Sequence, residues 1–188
     1  MTEQAGFLEQ LVAKLDAAGI PYMVSGSMAS SVWGEPRASY DVDLVIAPTA
    51  EQLGAFVKSL GKRYYVSAEA AEEAFRTRGT FNVIDPLFGM KADLIIRKDR
   101  PFSIEEFERR RPGGLGDFKF TLVSPEDSIL SKLEWSKRGQ SERQFEDALH
   151  VARFRREKLD VDYLRRWADE LDVRDLLERL LDEATRTG

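Results

Sequence analysis

Asp41 and Asp43 stand one residue apart inside the run Tyr40-Asp-Val-Asp-Leu-Val-Ile-Ala47. In an extended strand alternate side chains share a face, so residues i and i+2 project together, roughly 6–7 Å apart along the chain. Two carboxylates placed this way repel each other unless something positive lies between them. Magnesium suits that place, because it prefers oxygen ligands and shares its coordination with substrate phosphates. The competing reading is an exposed acidic strand edge. Val42, Leu44, Val45 and Ile46 argue against it, since they bury the same strand. Asp93 precedes a second apolar run, Leu94-Ile-Ile96. Alone it reads as a strand-start acid. On a neighbouring strand it would complete a metal cluster or act as a general base.

Gly26-Ser27 sits between an expected strand and an expected helix. A bare backbone turn there presents N–H groups and a hydroxyl to a phosphate oxygen, helped by the positive end of the helix. Other chemistries are excluded or weak. The chain has no cysteine, which removes disulfides, thiolate metal sites and cysteine nucleophiles together. Its one histidine, His150, supports no Ser-His-Asp triad. Trp33, Trp135 and Trp167 read as core anchors, and Asp85 before Pro86 as turn geometry.

These residues must be positioned by regular elements. Phe7, Leu8, Leu11, Val12 and Leu15 mark an amphipathic helix over about residues 4–18, stopped by Gly19. Strands are expected at 21–25 and 40–47, with one or two helical turns at 28–33 between them. Helices follow at 49–60 and 68–78, then a hairpin of 81–87 and 91–97. Residues 111–116, Arg-Pro-Gly-Gly-Leu-Gly, read as a loop, and 118–123 as a strand. Beyond Ser124, an N-cap followed by Pro125, the pattern is helical alone.

Composition sets the outer bounds. With 188 residues, 43% of them hydrophobic, the chain is one domain or two small ones with a packed core. No run approaches the roughly 20 apolar residues of a membrane span. The N-terminal stretch lacks the pattern of a signal peptide, so a cytoplasmic protein is expected. A net charge of −5 provides no general basic field for nucleic acid. The basic runs at 109–111 and 153–158 read as solvated faces, which leaves a nucleic-acid-binding regulator without support.

The ordered set of Gly26-Ser27, a short helix, Arg37-Ala-Ser39-Tyr-Asp41-Val-Asp43 and a later lone Asp93 resembles the nucleotidyltransferase superfamily of DNA polymerase β. Within it the chain is most similar to bacterial AbiEii-like and related minimal nucleotidyltransferases, over about residues 20–97. The back half resembles them less specifically, through Lys132-Leu133 and Arg143-Gln-Phe-Glu-Asp147. One departure stands out. The minimal antitoxin-type members often read Gly-Ser-x-Ala-Arg-Gly where this chain has Gly26-Ser-Met-Ala-Ser-Ser31, so the arginine beside the serine is absent and Arg37 is expected to do related work.

The resemblance implies an α+β nucleotidyltransferase fold, a mixed β-sheet flanked by helices, followed by a C-terminal helical bundle. The expected division is a catalytic domain at 1–124 and a helical domain at 125–188. It further implies two Mg²⁺ (or Mn²⁺) ions held by Asp41, Asp43 and Asp93, the same three being catalytic. ATP or another NTP would be bound by Gly26, Ser27, Arg37, Lys132 and Asp147, with Asp147 orienting Lys132. The implied reaction moves an NMP to an acceptor hydroxyl on RNA (a tRNA 3′ end) or on a protein. A toxin with a cognate antitoxin partner would work in this way. The alternatives are an antibiotic-type, small-molecule nucleotidyltransferase, or an inactive binding module of the same fold. No membrane partner is expected.

Overall fold

The computed structural model describes residues 3–34 and 41–186. Its first helix, α1 (Glu3–Ala17), buries the apolar stripe Phe7, Leu8, Leu11, Val12 and Leu15. Strand β1 (Tyr22–Ser25) leads directly into α2 (Gly26–Trp33), and β2 (Asp41–Ile46) follows. Then come α3 (Ala50–Leu60), α4 (Ala68–Thr77), the hairpin β3 (Thr80–Asp85) and β4 (Met90–Ile96), α5 (Pro101–Glu108), and a second hairpin of β5 (Arg111–Leu115) and β6 (Phe118–Leu122). The remainder is helical: α6 (Pro125–Gly139), α7 (Glu142–Arg155), a single 3₁₀ turn at Arg156–Lys158, α8 (Val161–Glu170) and α9 (Arg174–Thr185).

The six strands form one mixed sheet in the order β3-β4-β2-β1-β6-β5. The β2–β4 and β1–β6 pairs are parallel, and the other three are antiparallel. Period-two patterning decides which face is covered. Val42, Leu44 and Ile46 of β2, Ala92, Leu94 and Ile96 of β4, and Phe81 and Val83 of β3 are buried together on one face. Each of these side chains except Ala92 contributes about 1.5–3 kcal/mol of burial energy, before the entropy of ordering it. Helix α4 packs on β3 and β4, and α1 packs on α3. The opposite face of β2, β4 and β3 carries Asp41, Asp43, Lys91, Asp93 and Asn82, which remain partly or fully exposed.

Contacts divide the chain into two compact units, one of Met1–Ser25 with Ala38–Leu122 and one of Gly26–Arg37 with Val123–Gly188. A cut at residue 124 leaves α2 with the sheet, whereas its packing contacts are with α6 and α7. The reason lies at its C-terminal end. The Trp33 indole N–H donates to the Val123 carbonyl at 2.7 Å, and the Arg155 guanidinium lies 4.7 Å over the Trp33 ring while donating to the Trp33 carbonyl. Next to it, a Cβ on Gly34 would stand 3.1 Å from the Val151 backbone nitrogen, so the segment lies directly against α7.

Three further differences from the sequence reading have local causes. Residues 111–115 form the edge strand β5 instead of a loop. Helix α5 was not expected; it starts with Pro101 in its first turn and buries Phe102 and Phe107. Trp33 and Trp167 are packed, but Trp135 is 61% exposed and anchors no core.

Candidate functional site

The carboxylates come together through strand register. Asp41 and Asp43 occupy alternate positions of β2, and the parallel pairing of β2 with β4 sets Asp43 directly beside Asp93 and Asp41 directly beside Lys91. In-register neighbours on adjacent strands present their side chains to the same face, with strands about 4.8 Å apart. All three acids therefore lie on the polar face of the sheet.

Two residues that sequence reasoning passed over complete the group. The Lys91 ammonium lies 3.2 Å from Asp93 Oδ1 and 3.7 Å from Asp41 Oδ1. Its hydrogen bond to Asp93 holds the ammonium above the ordinary lysine range, aided by the charges of Asp93, Asp41 and Asp43 and opposed by partial desolvation. Asn82, opposite Asp93 in the β3–β4 register, donates its amide N–H to Asp93 Oδ1. The signal for Lys91 was present: it sits two residues before Asp93, so the same alternation that pairs Asp41 with Asp43 pairs Lys91 with Asp93.

Among the described residues no three acidic or histidine side chains are gathered into a ready-made metal cluster. The donor chemistry nonetheless fits a hard divalent cation. Asp41, Asp43 and Asp93 supply only carboxylate oxygens and share one face, and two of them, Asp41 and Asp93, already contact a positive charge of the protein itself.

The other expected residues lie in the second unit. Gly26 opens α2 with φ +61°, a conformation that a residue with a Cβ adopts only at a cost, and this lets β1 turn straight into the helix. The first turn of α2 holds no acid, so no side chain of its own opposes an anion at the positive end of the helix. Ser27 is the second residue of that turn, and its carbonyl accepts the Ser31 hydroxyl. In the same unit Lys132 of α6 and Asp147 of α7 meet at 2.8 Å, with side chains only 7% and 10% exposed. Burial at that level requires pairing, because an isolated charge there would lose its hydration. The expectation for Arg37, with neighbouring Ser39, lies outside the described residues.

The α+β fold is shared over almost the whole chain with solved structures of nucleotidyltransferase-fold proteins. One is ANT(2″)-Ia in complex with adenylyl-2″-tobramycin, at 15% identity and a TM-score of 0.59, covering 92% of this chain and 99% of that one. Another is an antigenic nucleotidyltransferase-like protein from Paracoccidioides brasiliensis, at 18% identity and a TM-score of 0.58, covering 96% and 92%. A third is the lincosamide antibiotic adenylyltransferase LnuA, lincomycin-bound, at 12% identity and a TM-score of 0.55, covering 80% and 96%. No protein-family model matches the sequence, and no curated protein does. Among the described residues no helix is long and apolar enough to cross a membrane.

Proposed function

We propose that this chain is a metal-dependent nucleotidyltransferase that moves an NMP from an NTP, with ATP the first candidate, to an acceptor hydroxyl. The observation that carries the reading is the alignment of Asp41, Asp43 and Asp93 on one sheet face, within a fold shared with adenylyltransferases. Asp41, Asp43 and Asp93 would hold Mg²⁺ or Mn²⁺, two ions in all. When bound, the metal supplies Lewis-acid neutralisation of phosphate charge and lowers the pKa of the acceptor hydroxyl.

A carboxylate oxygen of Asp93 accepts the proton of the acceptor hydroxyl. The freed oxygen attacks the α-phosphorus in line, one P–O bond forms, and the bond to the β-phosphate breaks to release pyrophosphate. Asn82 donates to Asp93 Oδ1 and Lys91 to Asp93 Oδ2, so the carboxylate is oriented through both oxygens, and Lys91 must release Oδ2 before that oxygen accepts the proton. Backbone N–H groups of Gly26 and Ser27, with the Ser27 hydroxyl, bind phosphate oxygens at the start of α2. Lys132, oriented by Asp147, and Arg37 balance phosphate charge.

The motif resemblance favours a macromolecular acceptor, an RNA end or a protein side chain, as for an AbiEii-type toxin held in check by an antitoxin in the cytoplasm. A small hydroxylated acceptor is the second reading. It is favoured by neighbours, matched across most of their length, that are bound to adenylyl-2″-tobramycin or lincomycin. Incubation with each labelled NTP and Mg²⁺, together with tRNA, protein extract or an aminoglycoside panel, tests both. Pyrophosphate release that Asp43→Asn abolishes is the expected result, and the labelled product identifies the acceptor. Absence of pyrophosphate with every NTP and acceptor leaves a binding module of this fold.

A further inference from the structure

Lys91 shares the carboxylate face and bridges two of its acids. It stands beside Asp41 in register and two residues before Asp93, and its Nζ contacts Asp93 Oδ1 at 3.2 Å and Asp41 Oδ1 at 3.7 Å. An ammonium and a divalent cation compete for the same anionic oxygens. The ammonium here rides on a flexible four-carbon stem whose side chain is 39% exposed, so it can return to water at little cost. Asn82 behaves differently: it binds Asp93 as a neutral donor and adds no charge that a metal would have to displace.

We propose that Lys91 is a tethered counter-ion of this face. Its ammonium bridges Asp41 and Asp93 in the metal-free protein and swings out to solvent when a divalent cation takes their oxygens. This rests on the metal-dependent reading above and deepens it. The tether also sets a charge threshold. A monovalent ion brings no more charge than the lysine it would displace, and the lysine competes from a high effective concentration because it is attached to the same strand. A divalent ion brings twice that charge and displaces it. Lys91 is thus a specificity-determining residue for ion valence, without touching nucleotide or acceptor.

The test is a Mn²⁺ titration by calorimetry, at fixed pH and ionic strength, of the full chain and of Lys91→Gln, Lys91→Arg and Asp43→Asn. Each protein is also melted with and without the ion. Lys91→Gln should bind Mn²⁺ roughly three- to tenfold more tightly than the parent, since a competing exposed pair is gone. It should melt lower than the parent without metal and recover with it. Lys91→Arg should gain nothing, and Asp43→Asn should lose binding. Lys91→Met serves as a second neutral variant if Lys91→Gln folds poorly. Equal or weaker Mn²⁺ affinity in the neutral variants, with the parent still binding, overturns the counter-ion role and leaves the metal site standing. Absence of binding in the parent itself overturns both.

Discussion

The molecule contains two lysine–carboxylate pairs in very different settings. Lys91 and Asp93 meet on an open sheet face with side chains 39% and 26% exposed, whereas Lys132 and Asp147 meet between two helices with side chains 7% and 10% exposed. Water screens the first pair, so its members part cheaply and are free to exchange partners. The second pair has no such alternative, because either charge left alone would stand in the packed unit without hydration. The same two residue types thus give a replaceable contact in one place and a fixed strut in the other. The difference is made by the element: a strand face alternates in and out of water, while facing helices enclose what lies between them.

The sharpest way to break this contrast is to remove one partner of the buried pair. Asp147→Ala should cost about 3–5 kcal/mol in urea unfolding, because Lys132 is left charged and enclosed. The double variant Lys132→Met with Asp147→Leu should recover most of that loss. A cost below about 1 kcal/mol for Asp147→Ala would mean that Lys132 escapes to solvent and that the two pairs are alike. On the folded protein, loss of the lysine should also weaken NTP binding by roughly 1–3 kcal/mol in a nucleotide titration.

The exposed pair should show the reverse profile. Asp93→Asn is expected to slow pyrophosphate release by roughly 10²–10⁴-fold, the usual worth of a general base. Its melting temperature should move by no more than about 2 °C. A large loss of stability would instead make Asp93 part of the scaffold.

The smallest effect belongs to a third ion-pair group, Glu178 of α9 with Arg165 and Arg174. Hydrogen bonding to Arg165, then to Arg174, holds the Glu178 carboxyl below its ordinary value. A depressed carboxyl contributes stability above its unfolded pKa and loses it as pH falls through the folded one. Melting curves of Glu178→Gln should therefore fall short of the parent at neutral pH, by no more than about 2 °C, and converge on it as pH falls through the depressed folded pKa. A shortfall that persists at low pH would point to packing and away from charge.

The sequence made the carboxylates legible because alternation is a strict geometric rule. Asp41, Asp43 and the apolar residues between them could be sorted to faces without any structure. Lys91 obeys the same rule and was overlooked because Asp93 alone had been read as the chemical residue of its strand. Strand β5 was hidden for a different reason. Pro112, Gly113 and Gly114 are turn residues by local preference, yet here their lack of bulk permits close pairing. A Cβ on Gly113 would stand 2.3 Å from the Leu122 side chain, and one on Gly114 would stand 2.3 Å from the Phe118 carbonyl oxygen. The membership of α2 in the helical unit was not legible at all. It depends on Trp33 reaching Val123, a contact across 90 positions of chain that no local pattern encodes.

The two borders of the sheet bear on how the protein behaves when concentrated. An open strand border is a template on which another chain can add its own strand, and so a route to fibrous aggregates. At one border, β3 has its Ile84 amide and carbonyl engaged by Tyr65, in a short bridge that occupies part of the row. At the other, β5 carries Pro112, which has no N–H to offer, beside two glycines that favour extended pairing poorly. Both borders therefore discourage strand addition, one by occupation and one by lack of donors. Pro112→Val would return an N–H to that rim and is expected to raise the protein's tendency to polymerise, which light scattering of concentrated samples checks.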